Sequence, residues 1–116
     1  MPLRTRQEIV FDAKRILHTD IVVGERLADC KKARAVCLVI QNSLNANVSA
    51  RALGGTTSSP GMTVPITLST LCTANAMESI NIGVDNWMPY IGVEIQALAT
   101  PTSGRVIVTA YIQEEV

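Results

Sequence analysis

At 116 residues the chain has the length of one domain. Its ten basic residues are matched by ten acidic ones, so it lacks the positive excess on which non-specific nucleic-acid binding depends. Hydrophobic residues make up 47% of the chain, which excludes a disordered polypeptide, and the longest strongly apolar run, Ala35 to Ile40, falls far short of the roughly 18 residues that span a bilayer.

The first 34 residues carry most of the charge and read in two ways. Ile9, Val10, Ala13, Ile16 and Leu17 fit one face of a helix, with Thr5 and Glu8 spaced as a capping box. Ile9, Phe11 and Ala13 also alternate as a strand, and Ile21, Val22 and Val23 are β-branched residues ahead of Gly24. Strand is the preferred reading, because an all-β domain needs partners for its sheet edges; a helix here would form a charged N-terminal arm. Ala35 to Ile40, with no polar alternation, is expected as a central strand buried on both sides.

Beyond residue 45 the period is two, which sends alternate side chains to opposite faces. Ala46, Val48, Ala50 and Ala52 alternate with Asn47, Ser49 and Arg51. Val64, Ile66 and Leu68 alternate with Thr63, Pro65, Thr67 and Ser69, and the proline confines that segment to an edge or a bulge. Ile80, Ile82 and Val84 alternate with Ser79, Asn81 and Gly83; Ile91, Val93, Ile95 and Ala97 with Gly92, Glu94 and Gln96; Val106, Val108, Ala110 and Ile112 with Arg105, Thr109, Tyr111 and Gln113. Turn residues fill the gaps, and in the last one Pro101 fixes φ while Gly104 can take a positive value. The pattern predicts an all-β chain: an antiparallel β-sandwich or jelly roll forming one domain over 1–116, with a charged segment at 1–34 and the sandwich core at 35–116.

Nothing in the sequence assembles a reaction centre. His18 stands alone and is expected as an exposed loop histidine. Cys30, Cys37 and Cys72 are odd in number and lack CxxC spacing, so neither a disulfide framework nor a zinc site is indicated. The glycine-rich stretch Gly54 to Gly61 lacks the Lys-Ser/Thr and the following helix of a phosphate-binding loop. Glu78, Asp85 and Glu94 are too sparse for glycoside hydrolysis. The chain is expected to be no enzyme and to hold no metal or cofactor. No apolar signal-peptide core follows Arg4, Arg6 and Glu8, so synthesis in a reducing cytoplasm is expected.

Charge is segregated. Residues 1–34 hold eight basic and five acidic residues, whereas from Ala35 to Met77 the only formal charge is Arg51. So charge-poor a surface gives a free monomer little protection against association, which points to coverage by copies of itself or by a partner. The candidate contact residues are Arg4, Arg6 and Phe11 in the N-terminal segment, Gly54, Gly55 and Gly61 in a 54–61 loop, and Trp87 and Tyr90 beside a turn. Trp87 and Tyr90 could close one end of the sandwich, anchor an interface or stack on a sugar.

Four stretches, VCLVIQN at Val36–Asn42, NVSARA at Asn47–Ala52, WMPYIGVEIQA at Trp87–Ala97 and PTSGRVIVTAYI at Pro101–Ile112, resemble small β-sandwich structural proteins of tailed bacteriophages, of the decoration, head-fibre and tail-accessory kind. The resemblance spans residues 35 to 114 and implies a non-enzymatic virion component. Such a component would form homo-oligomers and dock on a capsid or tail lattice, with no nucleic-acid or membrane partner. Deleting residues 1–15 would then remove docking and leave the fold intact. The alternative is a carbohydrate- or surface-binding module with a glycan on Trp87 and Tyr90.

Overall fold

The structure is a computed structural model that describes residues 2–12 and 19–115; His18 and the helical-face positions Ala13, Ile16 and Leu17 lie outside them. In chain order the strands are β1 (Leu3–Asp12), β2 (Ile21–Val23), β3 (Ala28–Asp29), β4 (Ala33–Asn42), β5 (Val48–Gly55), β6 (Val64–Pro65), β7 (Thr70–Cys72), β8 (Ala76–Ile82), β9 (Tyr90–Ala97) and β10 (Val106–Glu115). A four-stranded sheet runs β1-β10-β4-β8, and a six-stranded sheet runs β2-β9-β5-β6, with β3 also on β9 and β7 also on β5. Every pairing is antiparallel.

Taking β2 with β3, and β6 with β7, as two interrupted strands leaves eight, ordered 1-8-3-6 in one sheet and 2-7-4-5 in the other. That is the double Greek key of a jelly roll. The apolar halves of the alternating strands meet between the sheets: Val36, Leu38 and Ile40 of β4 and Val106, Val108 and Ile112 of β10 on one side, Val48 and Ala50 of β5 and Ile91, Val93 and Ile95 of β9 on the other. Each such aliphatic side chain, once fully buried, contributes roughly 1.5–3 kcal/mol.

The N-terminal segment is strand over Leu3–Asp12 and pairs with β10 from Leu3↔Glu115 to Asp12↔Ile107. A register shift between Ile9 and Phe11 is a β-bulge that turns both Val10 and Phe11 into the core. This corrects two expectations: within 1–15 the described stretch Leu3–Asp12 is a strand of the sandwich and not an arm outside it, and Phe11 is a core residue instead of a contact residue. β4 is interior to its sheet, yet Cys37 and Val39 are only half-buried, because among the described residues no layer covers its outer side. Of the segment 63–69 only Val64–Pro65 is strand, and it is an edge. Val84 leaves the expected strand for a 3-10 turn, Val84–Asn86, and is 87% exposed.

One end of the sandwich is closed by two zipped loops. Ser43 N donates to Arg105 O at 2.8 Å, and Asn45 exchanges side-chain bonds with Thr102, donating to Oγ1 at 2.7 Å and accepting from Thr102 N at 3.0 Å. Gly104 has φ +86° there, and a Cβ would lie 1.9 Å from Ser43 O, so only glycine fits.

Candidate functional site

The charged half of β1 faces inward. Because Arg4, Arg6 and Glu8 lie opposite Glu114, Ile112 and Ala110, whose side chains are buried, they project over the same inner face, where the sandwich opens. Arg4 donates from Nε at 2.9 Å and from Nη2 at 2.7 Å to Glu114 Oε1, and Arg6 Nε reaches the same oxygen at 3.3 Å. Arg6 also pairs with Glu8 and donates to Asp29 O, while Glu8 accepts from Asp29 N at 3.1 Å and lies 3.5 Å from Arg26. Glu114 has only 7% of its side chain exposed, and the hydrogen bonds from Arg4 and then Arg6 hold its carboxyl below the usual carboxylate range. Desolvation works against the Arg6 charge, but the bonds to Glu114 and Glu8 outweigh it and raise the guanidinium's pKa. Arg4 and Arg6 are thus engaged in tying β1 to β10 and β3. With Lys31 and Lys32 they line an open cleft of about 480 Å³.

Cys30 lies next to this cluster and is fully buried, and burial pushes its thiol up to about 12. A thiol held protonated in this way is no nucleophile. All three cysteines are free. Among the described residues no cluster of His, Cys, Asp and Glu gathers to hold a metal ion, and no helix is long and apolar enough to cross a membrane.

Gly54 and Gly55 are buried residues of β5, not the tip of a contact loop. A Cβ on Gly54 would come within 2.7 Å of Met88 Sδ and 2.9 Å of Ile66 Cγ2, and one on Gly55 within 2.9 Å of Met62 O. Both are glycine because other chain segments press against the strand. Gly61 is different: it is exposed, with nothing nearer a Cβ than Ser59 Oγ at 4.0 Å.

Trp87 is 39% exposed, and its ring is fixed by the bond from Nε1 to Cys30 O at 2.8 Å. It borders a cavity of about 300 Å³ with Lys31, Arg34, Val36 and Ile82. Tyr90 is half-buried under Lys31, whose Nζ stands 5.6 Å from the ring centroid; contact with Tyr90, then the charge of Asp29, raises the lysine's pKa. Register sets Gly55 opposite Tyr90. The structure thus gathers Arg4, Arg6, Tyr90 and Trp87 around residues 29–31, leaves Phe11 in the core, and sets Gly61 apart on an outer loop.

Two features escaped the sequence. The first is the outer face of the four-stranded sheet, which registers as continuous rows: Ile9, Thr109, Val39, Ser79; Gln7, Tyr111, Cys37, Asn81; and Thr5, Gln113, Ala35. No side chain in these rows is formally charged, and Asp12 and Glu115 mark the ends of the surface. The alternation of β8 and β10 was visible and that of β4 was not, and only strand order collects the neutral faces of β1, β10, β4 and β8 into one surface. The second is Asn42, which is 2% exposed. Its amide nitrogen donates to Ala46 O at 3.0 Å, Thr73 O at 3.1 Å and Cys72 O at 3.3 Å, and its Oδ1 accepts from Leu44 N at 3.0 Å. It clips the end of β4 to the turn after it and to the β7–β8 connection. The only prior signal was an amide closing an aliphatic strand.

No family model and no curated protein matches the chain. Solved structures do. The SPBc2 prophage-derived protein YomS aligns at a TM-score of 0.60 and 13% identity, over 98% of this chain and 96% of that one. A protein of Bacillus endospore appendages, a family of disulfide-linked pili, aligns at 0.55 and 7% identity, over 98% and 88%. The coat protein of Tobacco streak virus aligns at 0.52 and 10% identity, over 98% and 85%. The chain shares their fold. At these identities no residue role passes from them to this chain.

Proposed function

We propose that the protein is a non-enzymatic structural component of a virion, of the capsid-decoration or head/tail-accessory kind, that works by self-association and docking on a protein lattice. The observation that carries this reading is the uncharged outer face of the four-stranded sheet. A neutral face loses little hydration when covered, whereas charged groups brought against it would be stranded without counter-ions. Structural likeness to a prophage-derived protein and to a plant-virus coat protein supports the virion setting. Symmetric repetition would let individually weak contacts add.

The test is molar mass by size-exclusion chromatography with light scattering over a concentration series, for the parent and for Thr109→Lys, which plants a charge mid-face between Ile9 and Val39. The expected result is a parent mass that exceeds the 12.5 kDa of one chain and grows with concentration, and a smaller mass for the variant. A monomer at every concentration would overturn self-association. It would move the weight to the alternative, a carbohydrate- or surface-binding module, whose supporting observation is the fixed, partly exposed Trp87 ring lining one cavity with Lys31 and Arg34.

A further inference from the structure

The four sheet edges are unequally protected. An open edge offers a row of unpaired backbone groups, and soluble proteins blunt such edges with inward charges, bulges, prolines or short strands. β1 has three inward charges, Arg4, Arg6 and Glu8, and the bulge at Ile9/Phe11. β2 is only three residues long. The edge made by β6 and β7 is broken into pieces of two and three residues and contains Pro65. β8 is the least defended of the four: its one inward charge is Glu78, opposite buried Ile40, and it has no bulge, no proline and no shortening. It is a regular seven-residue strand, Ala76–Ile82, paired with β4 through consecutive residues from Val36↔Ile82 to Asn42↔Ala76, and it contains no proline and one charge, Glu78. It ends its sheet, and among the described residues no backbone hydrogen bond links Met77–Ile82 to a strand other than β4.

We infer that the β8 edge is a self-pairing surface, where a second copy adds its own β8 antiparallel across a two-fold axis. This deepens the assembly reading and rests on it for the partner's identity. The strand is suited to its own image. A two-fold axis perpendicular to the sheet pairs residues of like facing, and an axis through Ser79, the midpoint, uses the whole strand. Ser79 then meets Ser79 of the second copy, Met77 meets Asn81, and Ala76 meets Ile82. Glu78 falls opposite Ile80, so the only charge on the strand does not face its own copy. The outer side chains that would adjoin, Met77, Ser79 and Asn81, are exposed and uncharged. An acidic partner strand would find no counter-ion along β8 and a basic one only Glu78, whereas a second β8 sets that carboxylate opposite Ile80 and needs none. The two four-stranded sheets would become one, with both neutral outer faces on the same side, doubling the surface proposed to dock.

The test is site-directed crosslinking of the full chain under mild oxidation, with Ser79→Cys on β8, Thr5→Cys on the outer side of β1, and the parent as the background for its native thiols. Directly opposed residues of an antiparallel pair lie within disulfide reach. The expected result is a covalent dimer from Ser79→Cys and none above background from Thr5→Cys. Ser79→Lys, which sets two ammonium groups face to face at an exposed position, is expected to weaken the dimer about fivefold or more while the melting temperature of the fold stays put. An oligomer by light scattering that gives no Ser79→Cys crosslink, or that Ser79→Lys leaves intact, overturns the β8 contact and spares the assembly reading. A monomer that gives no crosslink overturns both.

Discussion

β1 and β8 bound the same four-stranded sheet and face the same difficulty, a row of backbone groups with no strand beyond them. β1 meets it with Arg4, Arg6 and Glu8 turned toward the open end of the sandwich and joined to Glu114 and residues 26–29, and with a bulge that twists its far half. β8 is unbulged and carries the single charge Glu78. Charge at an edge is therefore not simply solvation. On β1 it makes the intramolecular pairing specific and an intermolecular one costly, and its reduction to the single Glu78 on β8 leaves that option open.

The comparison can be broken most severely from the β1 side. Deleting residues 2–12 should abolish the cooperative unfolding transition followed by circular dichroism, because Val10, Phe11 and the partners of Glu114 go with it. A deleted chain that still melts cooperatively would return β1 to the status of an arm. On the β8 side, Asn42→Ala strands the Leu44 N–H and the carbonyls of Ala46 and Thr73 in a buried site, and should lower stability by roughly 2–3 kcal/mol in denaturant titrations. A change within error would mean that water replaces the amide.

The smallest effect is pH-dependent. The Glu114 carboxyl titrates below its unfolded value, so its stabilisation is complete above the ordinary glutamate range, near pH 4.3 and upward, and is lost as pH falls through the folded value. Thermal melts of the parent should decline over that acid window, and Glu114→Gln should flatten the decline while lowering stability at neutral pH. Identical acid slopes in the two proteins would remove Glu114 from the β1 latch.

Much of the architecture was legible locally. The alternation at 48–52, 91–97 and 106–112 appears as β5, β9 and β10, and Gly104 takes the positive φ that its turn asked for. The misreadings share a cause. Gly54 and Gly55 look like loop residues because glycine is permissive, whereas here Met88, Ile66 and the Met62 carbonyl leave no room for a side chain. Arg4 and Arg6 look like free surface charges, whereas their register with β10 brings both onto Glu114, with Arg4 still largely exposed. Asn42 looks like the polar end of an aliphatic strand and is a buried clip. For Gly54, for Arg4 and Arg6, and for the Asn42 bonds to Cys72 and Thr73, the deciding neighbour is remote in the chain.

By itself the sequence determined the material: strands with one apolar face, turns between them, a neutral middle and a charged beginning, all set by residue type at a period of two. The tertiary structure decided the order 1-8-3-6 against 2-7-4-5, the inward turn of the β1 charges, and the gathering of separate neutral faces into one surface. A strand's own residues fix which of its faces is apolar. Which strand lies beside it is fixed by pairings such as Leu3 with Glu115, made across the whole length of the chain.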